Sequence, residues 1–262
     1  QGMNERAEQA LGELMSSKKY KQVCEDTVRR IFLQELEKRG NIKQADKAAR
    51  AQLHQITGAF MSEGELKAAR GLLKAYQEGD GAAFDRLMDL HASTKERAPH
   101  ARALYGALFE RVGRPGRVLD LACGLNPLVL AAQGIEVLGV DIHGGMIEIV
   151  NQWAQALSLP AQGILGDLLC MKEFPRADVV LMLKLLPVLE QQKTGAAMEL
   201  LMAQRAKWRV VSFPTRSLGG RRVGMERHYS EWFEGHLPEG LRIYDRLQVD
   251  NELMYIVQAD EQ

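Results

Sequence analysis

Apolar positions recur at helical spacing through the first 110 residues, and the pattern then changes. Val28, Ile31, Phe32 and Leu36 mark one helix face with charges between them, and Lys47–Ile56 and Glu65–Tyr76 repeat the design. Gly40, Gly58 and Gly79 with Asp80 punctuate these stretches, and no strand is predicted before residue 116. Beyond Pro115-Gly116, short apolar runs alternate with helical ones. Strands are predicted at 117–121 (RVLDL), 136–141 (EVLGVD), 163–167, 178–183 and 208–213, with helices near 127–133, 145–157 and 190–204. Strand–helix alternation of this kind builds a parallel sheet covered on both faces. Residues 241–249 and 252–258, joined at Asp250-Asn251, read as a closing hairpin, which makes seven strands.

Composition narrows the class. Apolar residues are 46% and charged residues 26% of the 262, which suits a globular chain. No apolar run approaches the roughly 20 residues of a membrane span. Cys24, Cys123 and Cys170 are far apart and lack CxxC spacing, which favours a reducing compartment without disulfides. A soluble, cytoplasmic chain without membrane contact is therefore expected. The six histidines show no metal-ligand spacing, so no metal is assigned. Nothing in the pattern calls for an obligate oligomer, and a monomer is expected.

Charge changes the picture more by distribution than by sum. The 34 basic and 34 acidic residues cancel. Yet Arg205, Lys207, Arg209, Arg216, Arg221 and Arg222 follow one another without an intervening acid, and KKYK (18–21) and RR (29–30) add clusters near the start. Such clusters are candidates for contact with a polyanion.

The stretch VLDLACGLNPLVL (118–130) is the strongest local signal for a site. It reads as a buried strand, a thin turn and a helix. Ala122 and Gly124 let backbone N–H groups approach a ligand closely, and Pro127 suits a first helical turn. A full GxGxxG pattern is absent, which argues against a pyrophosphate. Asp141 at the end of the second strand can accept hydrogen bonds from ribose hydroxyls. Asp167, predicted to end the third strand, can accept from an adenine amino group. Cys123 and Cys170 are read as buried packing residues, Trp208, Phe213, Trp232 and Phe233 as core, and His143 receives no role.

HASTKER (91–97), LDLACGLNP (119–127), KLLPVLE (184–190) and SFPTRSLGGR (212–221) followed by GME (224–226) together resemble the aminoglycoside-resistance 16S ribosomal RNA methyltransferases, in the branch that methylates guanine N7. The resemblance runs over nearly the whole chain, from SKKY and DTVRR onward. It implies an α/β fold: a class I (Rossmann-like), seven-stranded S-adenosylmethionine-dependent methyltransferase domain over 111–262, preceded by an all-helical RNA-docking domain over 3–110. It further implies that Arg97 pairs with the carboxylate of S-adenosyl-L-methionine. Ala122 and Gly124 would line the methionine moiety, Asp141 with Ile142 the ribose, and Asp167 with Leu168 the adenine. Lys184 is expected beside cofactor or target, in a positioning role.

By the same resemblance the partner is the assembled 30S ribosomal subunit with its 16S rRNA. Lys18, Lys19, Arg29, Arg30, Arg50, His54, Lys67 and Arg70 are the docking candidates, with Arg216, Arg221 and Arg222 near the target base. Guanine N7 carries a lone pair and no proton, so in-line methyl transfer requires no general base. Three rival readings remain at this point: methylation of adenine N1 in the same RNA region, a small-molecule methyltransferase with a helical lid, and a non-catalytic nucleotide- or RNA-binding module on the same fold.

Overall fold

The computed structural model describes residues 2–215 and 224–259. Six helices open the chain: α1 (Gly2–Ser16), α2 (Glu25–Arg39), α3 (Ile42–Thr57), α4 (Glu63–Gln77), α5 (Ala83–Met88) and α6 (Ala92–Val112). Their ends follow local chemistry. The Asn41 side chain accepts the Gln44 N–H at 3.0 Å to start α3, and Ser62 with Glu65 forms a reciprocal capping box on α4. Gly40, at φ +62°, closes α2 in the left-handed conformation that glycine adopts without strain.

The alternating half follows as β1 (Arg117–Leu121), α7 (Asn126–Ala131), β2 (Glu136–Asp141), α8 (Gly144–Ala156), β3 (Ala161–Leu165) and β4 (Ala177–Leu183). Then come α9 (Leu186–Gln192), α10 (Ala196–Ala203), β5 (Ala206–Pro214), α11 (Met225–His236), β6 (Leu241–Val249) and β7 (Glu252–Ala259). The strands form one sheet in the order β3-β2-β1-β4-β5-β7-β6. Strands β1 to β5 are mutually parallel, and the β6–β7 hairpin is antiparallel, β7 lying against β5. Successive residues of β1 serve opposite layers: Leu119 and Leu121 pack with α9, α10 and α11, whereas Val118 packs with α6. That is why the strand reads as a continuous apolar run.

Several expectations are corrected. The expected division at 110/111 falls inside α6, whose Ala101, Leu104, Tyr105 and Leu108 pack on the sheet. Helices α4 and α5 pack on α8 around Trp153, and only α1–α3 enclose a core of their own. Helical periodicity reveals an apolar face but not the surface that face meets. The third strand is Ala161–Leu165, so Asp167 lies two residues past its end. The helix expected over 190–204 is two, separated at Gly195, where φ is +85°. Helix α11 was not foreseen. Cys170 is exposed, in contrast with buried Cys123.

Gly139 in β2 is where the packing is tightest. A Cβ there would lie 2.6 Å from both Cys123 Sγ and Pro127 Cγ, because the turn after β1 crosses directly over β2. Neither atom belongs to a long, flexible side chain. Gly139→Val should therefore destabilise the fold by about 1–3 kcal/mol or more through overpacking. A denaturant melt of wild type and variant checks this, and equal midpoints would refute the close crossing.

Candidate active site and RNA-docking residues

The order of the sheet reverses direction between β1 and β4, and in such sheets ligands bind beyond the carboxyl ends of the strands at that point. Two non-glycine residues adopt left-handed backbone there: Ala122 (φ +57°) directly after β1 and Lys184 (φ +53°) directly after β4. Strain of this kind concentrates at ligand-binding sites. Gly124 follows at φ +52°, and a Cβ on it would meet His91 Cε1 at 2.9 Å. The His91 ring is itself fixed, with Nδ1 2.9 Å from Thr94 Oγ1 and Nε2 3.3 Å from the Ala59 carbonyl.

Asp141 closes β2 beneath this turn. Its Oδ2 accepts the Gly124 N–H at 2.9 Å and its Oδ1 accepts the His143 N–H at 3.2 Å. Burial raises its pKa, against the pull of those two amides. Each oxygen retains a second lone pair, so the carboxylate can still accept from a ligand's hydroxyl groups. His143 caps α8 by accepting the Met146 N–H at 3.2 Å, and burial lowers its pKa to about 4, so it is neutral near pH 7.

Asp120, which the sequence reading did not single out, lies on the α6 side of β1 and is 2% exposed. Asn126 Nδ2 donates to its Oδ2 at 2.7 Å, and the Tyr105 hydroxyl donates to Asn126 Oδ1 at 2.5 Å. The asparagine in the turn is thus a two-way connector between β1 and α6. Burial raises the Asp120 pKa to about 7, although Asn126 and Arg97 oppose the rise.

Arg97 on α6 pairs with Glu252 at 3.3 Å, and Ser212 donates to the same carboxylate. Burial disfavours the Arg97 cation, but Glu252, Tyr105 and Asp120 outweigh it and leave its pKa above the ordinary value. The Lys184 N–H donates to the Ser212 carbonyl at 3.0 Å, and Lys184 Nζ pairs with Glu96 at 3.2 Å. Arg97, His100, Lys184 and Glu252 line a cavity of about 20 Å³. A wider hollow of about 760 Å³, lined by Arg117, Asp178, Arg205 and Lys207, lies at the amino ends of the strands, away from this edge. Glu96, Ser212 and Glu252 carried no local motif signal of their own, although Glu96 and Ser212 fall within the HASTKER and SFPTRSLGGR blocks.

Arg97, Ala122, Gly124, Asp141, Ile142 and Lys184 therefore gather at one edge. Leu168 packs with Leu121 and Val140 behind it. Asp167 is 3% exposed; its Oδ1 accepts the Leu169 N–H at 2.8 Å and its Oδ2 is held by Arg30. Arg30, one of the docking candidates, is thus engaged within the fold, its side chain 12% exposed.

Of the other docking candidates, Lys18, Lys19, Arg29, His54, Lys67 and Arg70 are exposed, and Arg50 is half-buried against Asp46 at 2.8 Å. Arg29 pairs loosely with Glu8 at 3.4 Å and Arg70 with Glu148 at 3.5 Å, while Lys18 reaches Glu63 only at 4.0 Å. Arg209 is buried and caps α10, donating to the Leu201, Gln204 and Ala206 carbonyls. Arg216, Arg221 and Arg222 lie outside the described residues.

A seven-stranded sheet in this order, with a thin turn after β1, a buried carboxylate closing β2 and a buried arginine on α6, has the fold of the class I S-adenosylmethionine-dependent methyltransferases. The solved structure of the 16S rRNA methyltransferase RmtF, in complex with S-adenosyl-L-homocysteine, superposes with a TM-score of 0.89 at 48% identity, over 97% of this chain and 98% of that one. The 16S rRNA methylase RmtB follows at 0.86 and 38%, over 97% and 98%. A profile of the ribosomal RNA methyltransferase (FmrO) family matches residues 16–256, and the chain belongs to that family. A 16S rRNA (guanine(1405)-N(7))-methyltransferase of Serratia marcescens is 43% identical over 96% of this chain and 98% of its own length.

The buried Asp120 yields a test. Its folded pKa of about 7 exceeds the ordinary carboxylate value of 3.8, so the folded state holds this proton more tightly. Stability present below the unfolded value is lost as pH rises through the folded one. Asp120→Asn keeps an acceptor for Asn126 and removes the titration. Denaturant melts at about pH 5 and about pH 8 should show the variant gaining relative to wild type at the higher pH. A difference independent of pH would refute the buried titration.

Proposed function

We propose that this protein transfers the methyl group of S-adenosyl-L-methionine to N7 of a guanine in the decoding A site (helix 44) of 16S rRNA, within the assembled 30S subunit. Resistance to 4,6-disubstituted deoxystreptamine aminoglycosides follows, because a methyl group and a positive charge at N7 obstruct a cationic drug. The observation that carries the reading is the pairing of the Asp141–Gly124 edge with full-length similarity to enzymes of that named activity.

The chain's own residues then divide the work. Asp141, with Ile142 beside it, accepts the ribose hydroxyls. Ala122 and Gly124 keep the backbone thin along the methionine moiety, and Asp167 with Leu168 bounds the adenine. Arg97 holds the cofactor's carboxylate; its present partner Glu252 shares or yields that position. When bound, the cofactor supplies an electrophilic methyl group on a sulfonium. Guanine N7 presents a lone pair and no proton, so the residues around Lys184 have only to align the base with the methyl group and exclude competing nucleophiles. No proton has to be removed to create the nucleophile.

Withdrawing a base from its stack costs a few kcal/mol. Basic residues on and between α1–α4, Lys18, Lys19, Arg29, Arg50, His54, Lys67 and Arg70, offset that cost through phosphate contacts, joined by Arg216, Arg221 and Arg222. No helix among the described residues is long and apolar enough to cross a membrane.

Purified protein with radiolabelled S-adenosyl-L-methionine should label intact 30S subunits, and neither naked 16S RNA nor transfer RNA. Borohydride and aniline treatment, which cleaves at N7-methylguanine, should then cut at one A-site position. Label without a cut would point to adenine N1 instead, and absence of label in every RNA to a small-molecule acceptor. For the docking surface, Lys67→Ala should weaken 30S binding and lower the slope of log affinity against log salt by about 1. An unchanged slope would remove Lys67 from the interface.

A further inference from the structure

The three leading helices enclose a core of their own, and several of their contacts with the sheet half fall beside the assigned cofactor edge, while Lys18 and Lys21 also reach Glu63 of α4. Leu11, Leu14, Val28, Ile31, Phe32 and Leu53 enclose a core within α1–α3, and the residue packed against it from the sheet half is Ile142. Immediately after Asp141, the Cys24 N–H donates to the Ile142 carbonyl at 2.6 Å and the Gly144 N–H donates to the Gln22 carbonyl at 2.6 Å. Cys24 is also the residue from which α2 starts.

Helix α2 then carries Arg30 across to the loop after β3. Nε and Nη2 donate to Asp167 Oδ2 at 3.0 and 2.9 Å, and Nη2 also donates to Gln192 Oε1 at 2.9 Å. Its Nη1 is buried and has no hydrogen-bond partner among the described residues. Neighbouring Arg29, by contrast, is 46% exposed with one loose partner. A guanidinium so committed is a poor choice for a phosphate. It is well placed to hold a carboxylate in one orientation.

We propose that Arg30 is a positioning residue for the cofactor's adenine rather than an RNA contact, acting through Asp167 and making occupancy of the cofactor site and engagement of the 30S subunit by α1–α3 mutually dependent. The proposal rests on the cofactor assignment above. The attachment through Gln22 and Cys24 lies directly after Asp141, the carboxylate assigned to ribose, and the Arg30 attachment ends on Asp167, assigned to adenine, and on Gln192 of α9. A ligand engaging Asp141 and Asp167 therefore changes the energy of both attachments. Linkage is reciprocal, so a ribosomal subunit that sets the position of α1–α3 must alter cofactor affinity by the same factor.

The test uses full-length protein and S-adenosyl-L-homocysteine as the probe. Calorimetry without RNA should show Arg30→Met binding it about tenfold more weakly than wild type. Arg30→Lys, which keeps the charge and one donor, should recover part of the loss. In the methylation assay the variant should raise KM for S-adenosyl-L-methionine while kcat at saturation is retained, whereas general structural damage would lower both. Wild type should bind 30S subunits about fivefold or more tightly with S-adenosyl-L-homocysteine present, and Arg30→Met should bring that ratio close to one.

Wild-type affinity for the probe in Arg30→Met would overturn the proposal. So would an equal loss of 30S affinity with and without the probe accompanied by a shallower salt slope, the behaviour of a phosphate contact. Should Arg30→Met fail to fold, Gln192→Ala carries the same comparison, and unchanged probe affinity with an unchanged ratio would overturn it. A wild-type protein that binds the probe but labels no ribosomal RNA would overturn the proposed substrate alone, since the calorimetric comparison needs no RNA.

Discussion

Three carboxylates stand in or just beyond adjacent strands, and each is almost wholly removed from water. Asp120 is 2%, Asp141 6% and Asp167 3% exposed, on or after β1, β2 and β3 in their order across the sheet. An unpaired buried charge costs several kcal/mol, so each carboxylate must find a donor within the fold. Those donors come from different layers. Asn126, steadied by Tyr105 of α6, serves Asp120. The Gly124 and His143 amides serve Asp141, and Arg30 of α2 serves Asp167. Keeping these acceptors dry and paired therefore dictates where α2, α6 and the turn before α7 must lie.

The backbone makes a parallel concession at the switch point. Left-handed φ at a non-glycine residue costs roughly 1–3 kcal/mol, and Ala122 and Lys184 both accept it. They can do so because β1 and β4 pair in register just before them, at Val118↔Val179, Leu119↔Val180 and Asp120↔Leu181. The Lys184 amide then bonds to Ser212, Ser212 to Glu252, and Glu252 to Arg97. One polar chain thereby joins β4, β5, β7 and α6 at the edge where methyl transfer is assigned.

Much of the alternating half was readable from residues alone. β1 and β2 fall where RVLDL and EVLGVD place them, and Asp141 ends its strand as expected. Short apolar runs bounded by glycine, proline and charge carry that information locally. The third strand ends two residues earlier than the apolar run suggests: the Gly166 amide still donates to the Asp141 carbonyl, but from Asp167 the chain turns, with the Cys170 and Met171 amides donating back to the Asp167 carbonyl. The role of Asn126 is not legible from its sequence neighbours, since Asp120 and Tyr105 complete it from β1 and α6. The helical region was legible as helices but not as a domain, because α4, α5 and α6 spend their apolar faces on α8 and the sheet.

By itself, the sequence determined the alternation of strands and helices, the thin turn at residues 122–124 and the place of Asp141 at the end of its strand. All of these depend on contacts within a few residues, where side-chain period, glycine freedom and capping act directly. Only the tertiary structure decided what the site's carboxylates face. Arg30 meets Asp167 across 137 residues and Arg97 meets Glu252 across 155. Pairings over such separations exist only once the sheet has closed, because burial is what makes each charge require a partner.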